Sequence, residues 1–249
     1  MALGPDKRFS LNTGARAERM PGPQAHAAGI DAGLRAYMLK VYNYMCIGLA
    51  LTGAVAFATS TSPVMLQAIY GTPLQWLVMV APIGMVFFLA ARVHAMKAST
   101  AQAVFWVDAA MIGLSLAYIF IAYTGESVTR VFFITAGAFA GLSLFGYTTK
   151  KDLTSWGSFL FMGLIGIIIA SLVNIFMQSP MMHMIITYAG VLIFVGLTAY
   201  DTQKIKEMNI LGNEGTDEDT KEAIRGALTL YLDFINLFLM LLRLMGDRR

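Results

Sequence analysis

Seven apolar runs are spaced along the chain: Val41–Ser60, Leu74–Ala91, Ala101–Tyr123, Val131–Tyr147, Phe159–Met177, Met182–Tyr200 and Ala223–Met245. Each is close to the roughly 20 residues that a helix needs to cross a bilayer. The last run differs from the others. It places Asp233 near its middle and Asn236 one turn further on. Gly226, Thr229, Asp233, Asn236, Met240 and Arg243 recur at steps of three and four, which gathers them on one stripe of a helix whose remaining faces are apolar. A carboxylate at mid-membrane depth costs about 2.5–3.5 kcal/mol on insertion scales, so it must face protein or trapped water. The pattern therefore predicts an all-α polytopic membrane protein, a seven-transmembrane-helix bundle with the last helix central. Asp233 then either bonds a neighbouring helix or marks an ion or proton path.

Composition agrees with this class. Hydrophobic residues make up 57% of the 249, and charged residues only 13%, about half the share usual in soluble domains. The formal charge of +3 sits mostly in loops and gives no reason to expect a nucleic-acid partner. Residues 1–35 form a polar, basic stretch carrying Lys7, Arg8, Arg16, Arg19 and Arg35, without the apolar core of a cleavable signal peptide. They read as a disordered cytoplasmic tail with a short helix near Asp31–Lys40. Residues 36–246 form the membrane domain and 247–249 the end. Glycines recur in pairs within the runs, at positions 48 and 53, 137 and 141, 163 and 166, 190 and 196, where helices are expected to approach closely. Basic residues at 92, 97, 150, 151, 204, 206 and 221 lie in alternate loops, while the loops between carry little charge. This places the N-terminus in the cytoplasm and the C-terminus outside. Asp247-Arg248-Arg249 pulls mildly the other way.

Topology brings chemistry together. Asp201, at the cytoplasmic end of the sixth run, can meet Asp233 if the sixth helix continues a turn past Asp201 or tilts. Arg92 closes the second run on the same side, and Asp108 lies about two turns into the third. Two carboxylates brought close cannot both ionise cheaply, so such a pair keeps a proton between them and, on losing it, can take an arginine or a cation. Calcium wants six to eight oxygens. The two aspartates with Asn236, Thr229, backbone carbonyls and water would form a weak, transient site, which suits conduction better than storage.

The stretches GLTAYDTQKIK (196–206) and LYLDFINLFLMLLRLMG (230–246), together with ARVHAMKASTAQAVFWV (91–107), resemble the Bax inhibitor motif family (Bax inhibitor-1) in its bacterial branch. The resemblance covers about Tyr37 to Gly246. It implies a seven-helix bundle with the last helix in the centre and a pH-sensitive calcium leak as the activity. It also implies an aspartate pair, Asp201 and Asp233, as sensor, and Arg92 as the gating arginine. Asp108 has no counterpart in that pattern; it would retune the pair, or bond Arg92 or a backbone amide.

Bacterial relatives also suggest another role, an interaction protein that modulates a membrane protease or a stress response, with the N-terminal tail as its handle. The bacterial inner membrane is the expected location. The expected partners are the lipid bilayer, calcium ions and protons, with a membrane protease under the second role. A retinal pigment is excluded, since no lysine follows Lys221. No serine or cysteine stands beside a histidine with nucleophile spacing, so neither an enzyme nor a cofactor is expected, calcium entering only as the permeant ion. Cys46 reads as a small buried residue, the methionines around Met181 as lipid-facing, and Trp76, Tyr123, Tyr147 and Trp156 as interfacial anchors. The segment Glu214–Asp219 reads as a solvated connector.

Overall fold

The computed structural model describes residues 23–208 and 215–249, with side chains from residue 32 onward. Their helices are α1 (Pro23–Ser60), α2 (Pro63–Tyr70), α3 (Leu74–Arg92), α4 (Ala98–Leu116), α5 (Ile119–Ala122), α6 (Gly125–Thr148), α7 (Thr154–Met177), α8 (Pro180–Glu207) and α9 (Asp217–Met245). Among the described residues seven stretches are long and apolar enough to cross a membrane, with α4 and α5 together forming the third. The chain is an all-α polytopic membrane protein.

Helix starts follow local chemistry. Ser62, Thr124, Ser179 and Thr216 each accept a hydrogen bond from a backbone N–H in the first turn of the helix that follows. Pro63 and Pro180 occupy first-turn positions, where a missing N–H costs nothing. Three boundaries depart from the expected ones. Residues 23–35, expected in the tail, belong to α1, while residues 1–22 lie outside the described residues. The acids Asp217, Glu218 and Asp219 are no connector but the first turn of α9, where they complement the helix dipole; Glu214 lies outside the described residues. The third run is interrupted after Leu116, where the bonds Ala117 N–H to Leu114 O and Phe120 N–H to Ala117 O tighten the helix into a short turn before α5.

The last helix is the hub. Half of the most apolar part of α9 is buried, against 11% of that of α7. It packs against α1, α4, α6 and α8, and more lightly against α3. Ile224, Leu230, Tyr231, Leu237 and Leu242 are fully enclosed. Edge-on aromatic contacts carry the packing outward, from Tyr231 to Phe105 of α4 and from Phe234 to Phe132 and Phe139 of α6. At the first turn of α9, Lys40 of α1 donates to Asp219 Oδ2 at 3.0 Å and to Thr220 Oγ1 at 2.7 Å. By contrast, α7 packs mainly on α8 and turns side chains such as Phe176, 88% exposed, outward.

Buried polar groups tie helices across the core. Thr52 of α1 donates to Ala109 O of α4 and is hydrogen-bonded to the Tyr231 hydroxyl of α9. Tyr42 of α1, Ser143 of α6 and Thr202 of α8 form a second chain of hydroxyls. The glycines that set helix spacing are only partly those expected. Gly53, Gly137, Gly141 and Gly166 have open space where a Cβ would stand. Gly146 does not: a Cβ there would meet the Ala199 carbonyl of α8. Two further expectations are corrected. Cys46 is exposed on α1 instead of buried, because it lies on the outward face that borders an apolar gap toward α6. Tyr123 is 6% exposed and is no interfacial anchor, because the C-terminal segment packs over it. Trp76 and Trp156 are exposed, as anchors are.

Candidate functional site

The polar stripe of α9 faces one cavity. Thr229, Asp233, Asn236, Met240 and Arg243 all line a space of about 1000 Å³ bounded by α3, α7, α8 and α9. Gly226, the sixth member of the stripe, instead packs against Ile205 of α8. From α8 the same cavity receives Asp201 and Lys204. The helix α8 continues to Glu207, nearly two turns past Asp201. That is the extension the two aspartates need in order to meet. They do meet: the carboxyl groups of Asp201 and Asp233 are in hydrogen-bonding contact. An ionised carboxylate can only accept, so this contact is a hydrogen bond only while one of the two carries a proton. Asp233 is 6% exposed, and its Oδ2 has no partner among the described residues.

The neighbouring groups fit a shared proton and a weak cation site. Lys204, one turn after Asp201, lies close enough to act on it electrostatically. Asn236 spends an amide N–H on Leu232 O, and Thr229 spends its hydroxyl proton on Arg225 O. Both donors are therefore turned back to the helix, and the oxygens remain as acceptors beside the cavity. Among the described residues no group of three or more histidine, cysteine or carboxylate side chains forms. A cation here would be held by the pair, these oxygens, backbone carbonyls and water, a donor set suited to brief occupancy by a hard ion such as calcium.

Two expected members stand apart. Arg92 is exposed at the end of α3 and does not line the cavity. Helical geometry fails there, with φ −114° and a 3-10 turn over Val93–Ala95 that redirects the chain toward α4. Among the described residues the Arg92 side chain has no hydrogen bond or ion pair, and the cationic groups on the cavity wall are Lys204 and Arg243. Asp108 bonds neither Arg92 nor a backbone amide. It is 1% exposed with both carboxyl oxygens unpartnered, near Tyr231. Tyr231 and Asp233 are two positions apart, about 200° around the helix, so α9 separates Asp108 from the pair. Replacing this unsatisfied group with an apolar one of similar volume is expected to be neutral or stabilising. Asp108→Leu should hold or raise the thermal unfolding midpoint in detergent; a fall of several degrees would reveal a partner that Asp108 stabilises.

Lys204 and Arg243 are the wall residues whose role the sequence did not announce. Their signals were present: Lys204 follows Asp201 by one turn, and Arg243 ends the stripe of α9.

The family model described as inhibitor of apoptosis-promoting Bax1 matches residues 34–249. The chain is 49% identical over 224 residues to an uncharacterized protein of Rickettsia prowazekii, covering 88% of this chain and 92% of that one. It is 46% identical over 220 residues to the inner membrane protein YbhL of Escherichia coli, covering 88% and 94%. With a protein of Caulobacter vibrioides it shares 46% identity over 243 residues, covering 94% and 96%. A match that runs from within α1 to the last residue takes in both aspartates and nearly all of the bundle: the chain belongs to the Bax inhibitor family of membrane proteins.

Proposed function

We propose that this protein is a pH-sensitive, calcium-permeable leak channel of the bacterial inner membrane, with its N-terminus in the cytoplasm. The observation that carries the reading is the carboxyl–carboxyl contact of Asp201 and Asp233 on the wall of a cavity of about 1000 Å³. While the pair holds its proton it presents one negative charge at most, and its oxygens face each other. On losing that proton it presents two negative charges, which must be met by a cation or by movement of a basic side chain. Calcium carries two positive charges and matches the oxygen donors lining the space. Lys204, Arg243 and, after movement of α3, Arg92 are the basic groups that would compete for the ionised pair. The family supports the reading through the resemblance of the two motif stretches that hold the aspartates. The location follows the name of the Escherichia coli relative, an inner membrane protein.

The test is reconstitution of the purified chain into liposomes loaded with a calcium-sensitive dye. Calcium flux above that of protein-free liposomes, varying with pH, is expected. Flux equal to the protein-free control at every pH would remove the channel reading.

A further inference from the structure

A second concavity lies at the opposite end of α9, on the face that the charge pattern assigns to the outside. Its volume is about 750 Å³, and its wall carries Arg243, Arg248 and Arg249 together with His183 and Asn174. No carboxylate side chain lines it. The segment that supplies two of the arginines is held in place. Thr124 N–H donates to Asp247 O at 3.1 Å, Arg249 N–H donates to Ala122 O at 3.0 Å, and Asp247 N–H donates to Ser127 Oγ at 2.8 Å. The guanidinium of Arg248 lies over the Tyr123 ring, 5.9 Å from its centre.

The one acid of this segment is directed elsewhere. Asp247 pairs with Arg130 at 2.8 Å and is absent from the cavity wall. Among the described residues, none of the three cavity arginines has a carboxylate partner. An α-carboxylate at Arg249 would offset only one of these charges. Three guanidinium groups gathered around one hollow repel each other less when an anion joins them, and the planar fork of arginine matches phosphate oxygens two at a time. Positive charge on this face also runs against the usual distribution of basic residues about a membrane. The loops that share the face carry Arg130 as their only basic residue.

We infer that this hollow is an anion site that binds a phosphate group, presented either by the headgroup of an anionic phospholipid or by free phosphate. It lies against α5, α7, α8 and α9, and a basic pocket between membrane helices can hold a lipid headgroup. The two hollows share Ser171, Ile175 and Arg243 on their walls, so an anion held here sits next to the space that contains the aspartates. The inference stands on the arginine geometry and does not depend on calcium permeation.

The experiment uses the full chain in nanodiscs, with Arg248→Gln/Arg249→Gln as the variant, which leaves Arg243 and the aspartate cavity untouched. Arg225→Gln, an exposed arginine at the other end of α9, is the control. In the first arm, discs of phosphatidylcholine containing a little phosphatidylglycerol are read by native mass spectrometry for lipid retained on the protein. In the second, phosphatidylcholine discs are titrated with inorganic phosphate and binding is read by phosphorus NMR line broadening. Loss of charge-assisted bonds predicts that the double variant weakens binding about tenfold while Arg225→Gln does not. Selective phosphatidylglycerol retention lost in the double variant identifies the lipid headgroup. Inorganic phosphate binding lost in the double variant, without lipid preference, identifies free phosphate. Absence of both in the unmodified chain, binding unchanged in the double variant, or an equal loss in Arg225→Gln overturns the inference.

Discussion

Asp233→Asn is expected to abolish the pH dependence of calcium flux in liposomes while leaving the helix bundle assembled. The side chain keeps its size, and its Oδ2 has no partner to lose. The structural cost is then about one hydrogen bond, on the order of 1 kcal/mol. What disappears is the second ionisable carboxyl, so Asp201 no longer shares a proton or faces a like charge. A single titrating proton changes the occupancy of the ionised pair by up to about tenfold per pH unit on its acid side. The unmodified chain should therefore show flux that changes severalfold across the titration, and the variant a flat profile. Asp201→Asn should flatten it as well, because the remaining acid no longer faces a like charge. A variant whose flux still follows pH as the unmodified chain does would place the sensor elsewhere, with Asp108 the next buried acid to examine.

Gly146→Leu is expected to have the largest effect on folding. The backbones of α6 and α8 approach so closely at this point that the first added carbon meets the Ala199 carbonyl. A backbone atom cannot rotate aside as a side chain can. Overpacking costs about 1–3 kcal/mol where side chains can give, and more where they cannot. Set against a total stability of about 5–15 kcal/mol, this should lower the yield of monodisperse protein sharply. The contact also lies along the hydroxyl chain through Ser143 and Thr202, so the α8 segment that carries Asp201 would shift with it. Gly137→Leu on the same helix is the comparison, because nothing stands within 4 Å of its added Cβ. It should behave as the unmodified protein in size-exclusion chromatography and thermal unfolding. Equal damage from both substitutions would mean that α6 tolerates no bulk anywhere and that the α8 contact is not special.

The main features of the fold were legible because a bilayer leaves few options. Backbone groups must be satisfied within each crossing segment, so apolar runs of the right length read directly as helices. The centre of the bundle was legible from Asp233 and the stripe around it, since one polar line on an apolar helix needs protein around it. The meeting of Asp201 and Asp233 was legible only as a condition, that α8 run past Asp201, which it does. Other features could not be read. The distinction between Gly146, pressed against α8, and Gly137, facing open space, depends on helix rotation, which glycine spacing does not encode. Arg92 lies next to a helix end, and a 3-10 turn there decides which way its side chain leaves. Asp108 and Asp233 both read as buried acids in the inner half of the membrane, but the two-residue offset between Tyr231 and Asp233 puts α9 between them. Tyr123 looked like an anchor because its cover comes from Arg248, more than a hundred residues along the chain.

In the proposed channel the aspartate pair exchanges a proton for a cation. The most direct measurement is proton release on addition of calcium to the purified chain in weakly buffered detergent at mildly acidic pH. Binding to a protonated site must release its proton. Acidification is expected to saturate near one proton per chain and to be absent in Asp233→Asn. No acidification by the unmodified chain, or the same acidification by both, would contradict it.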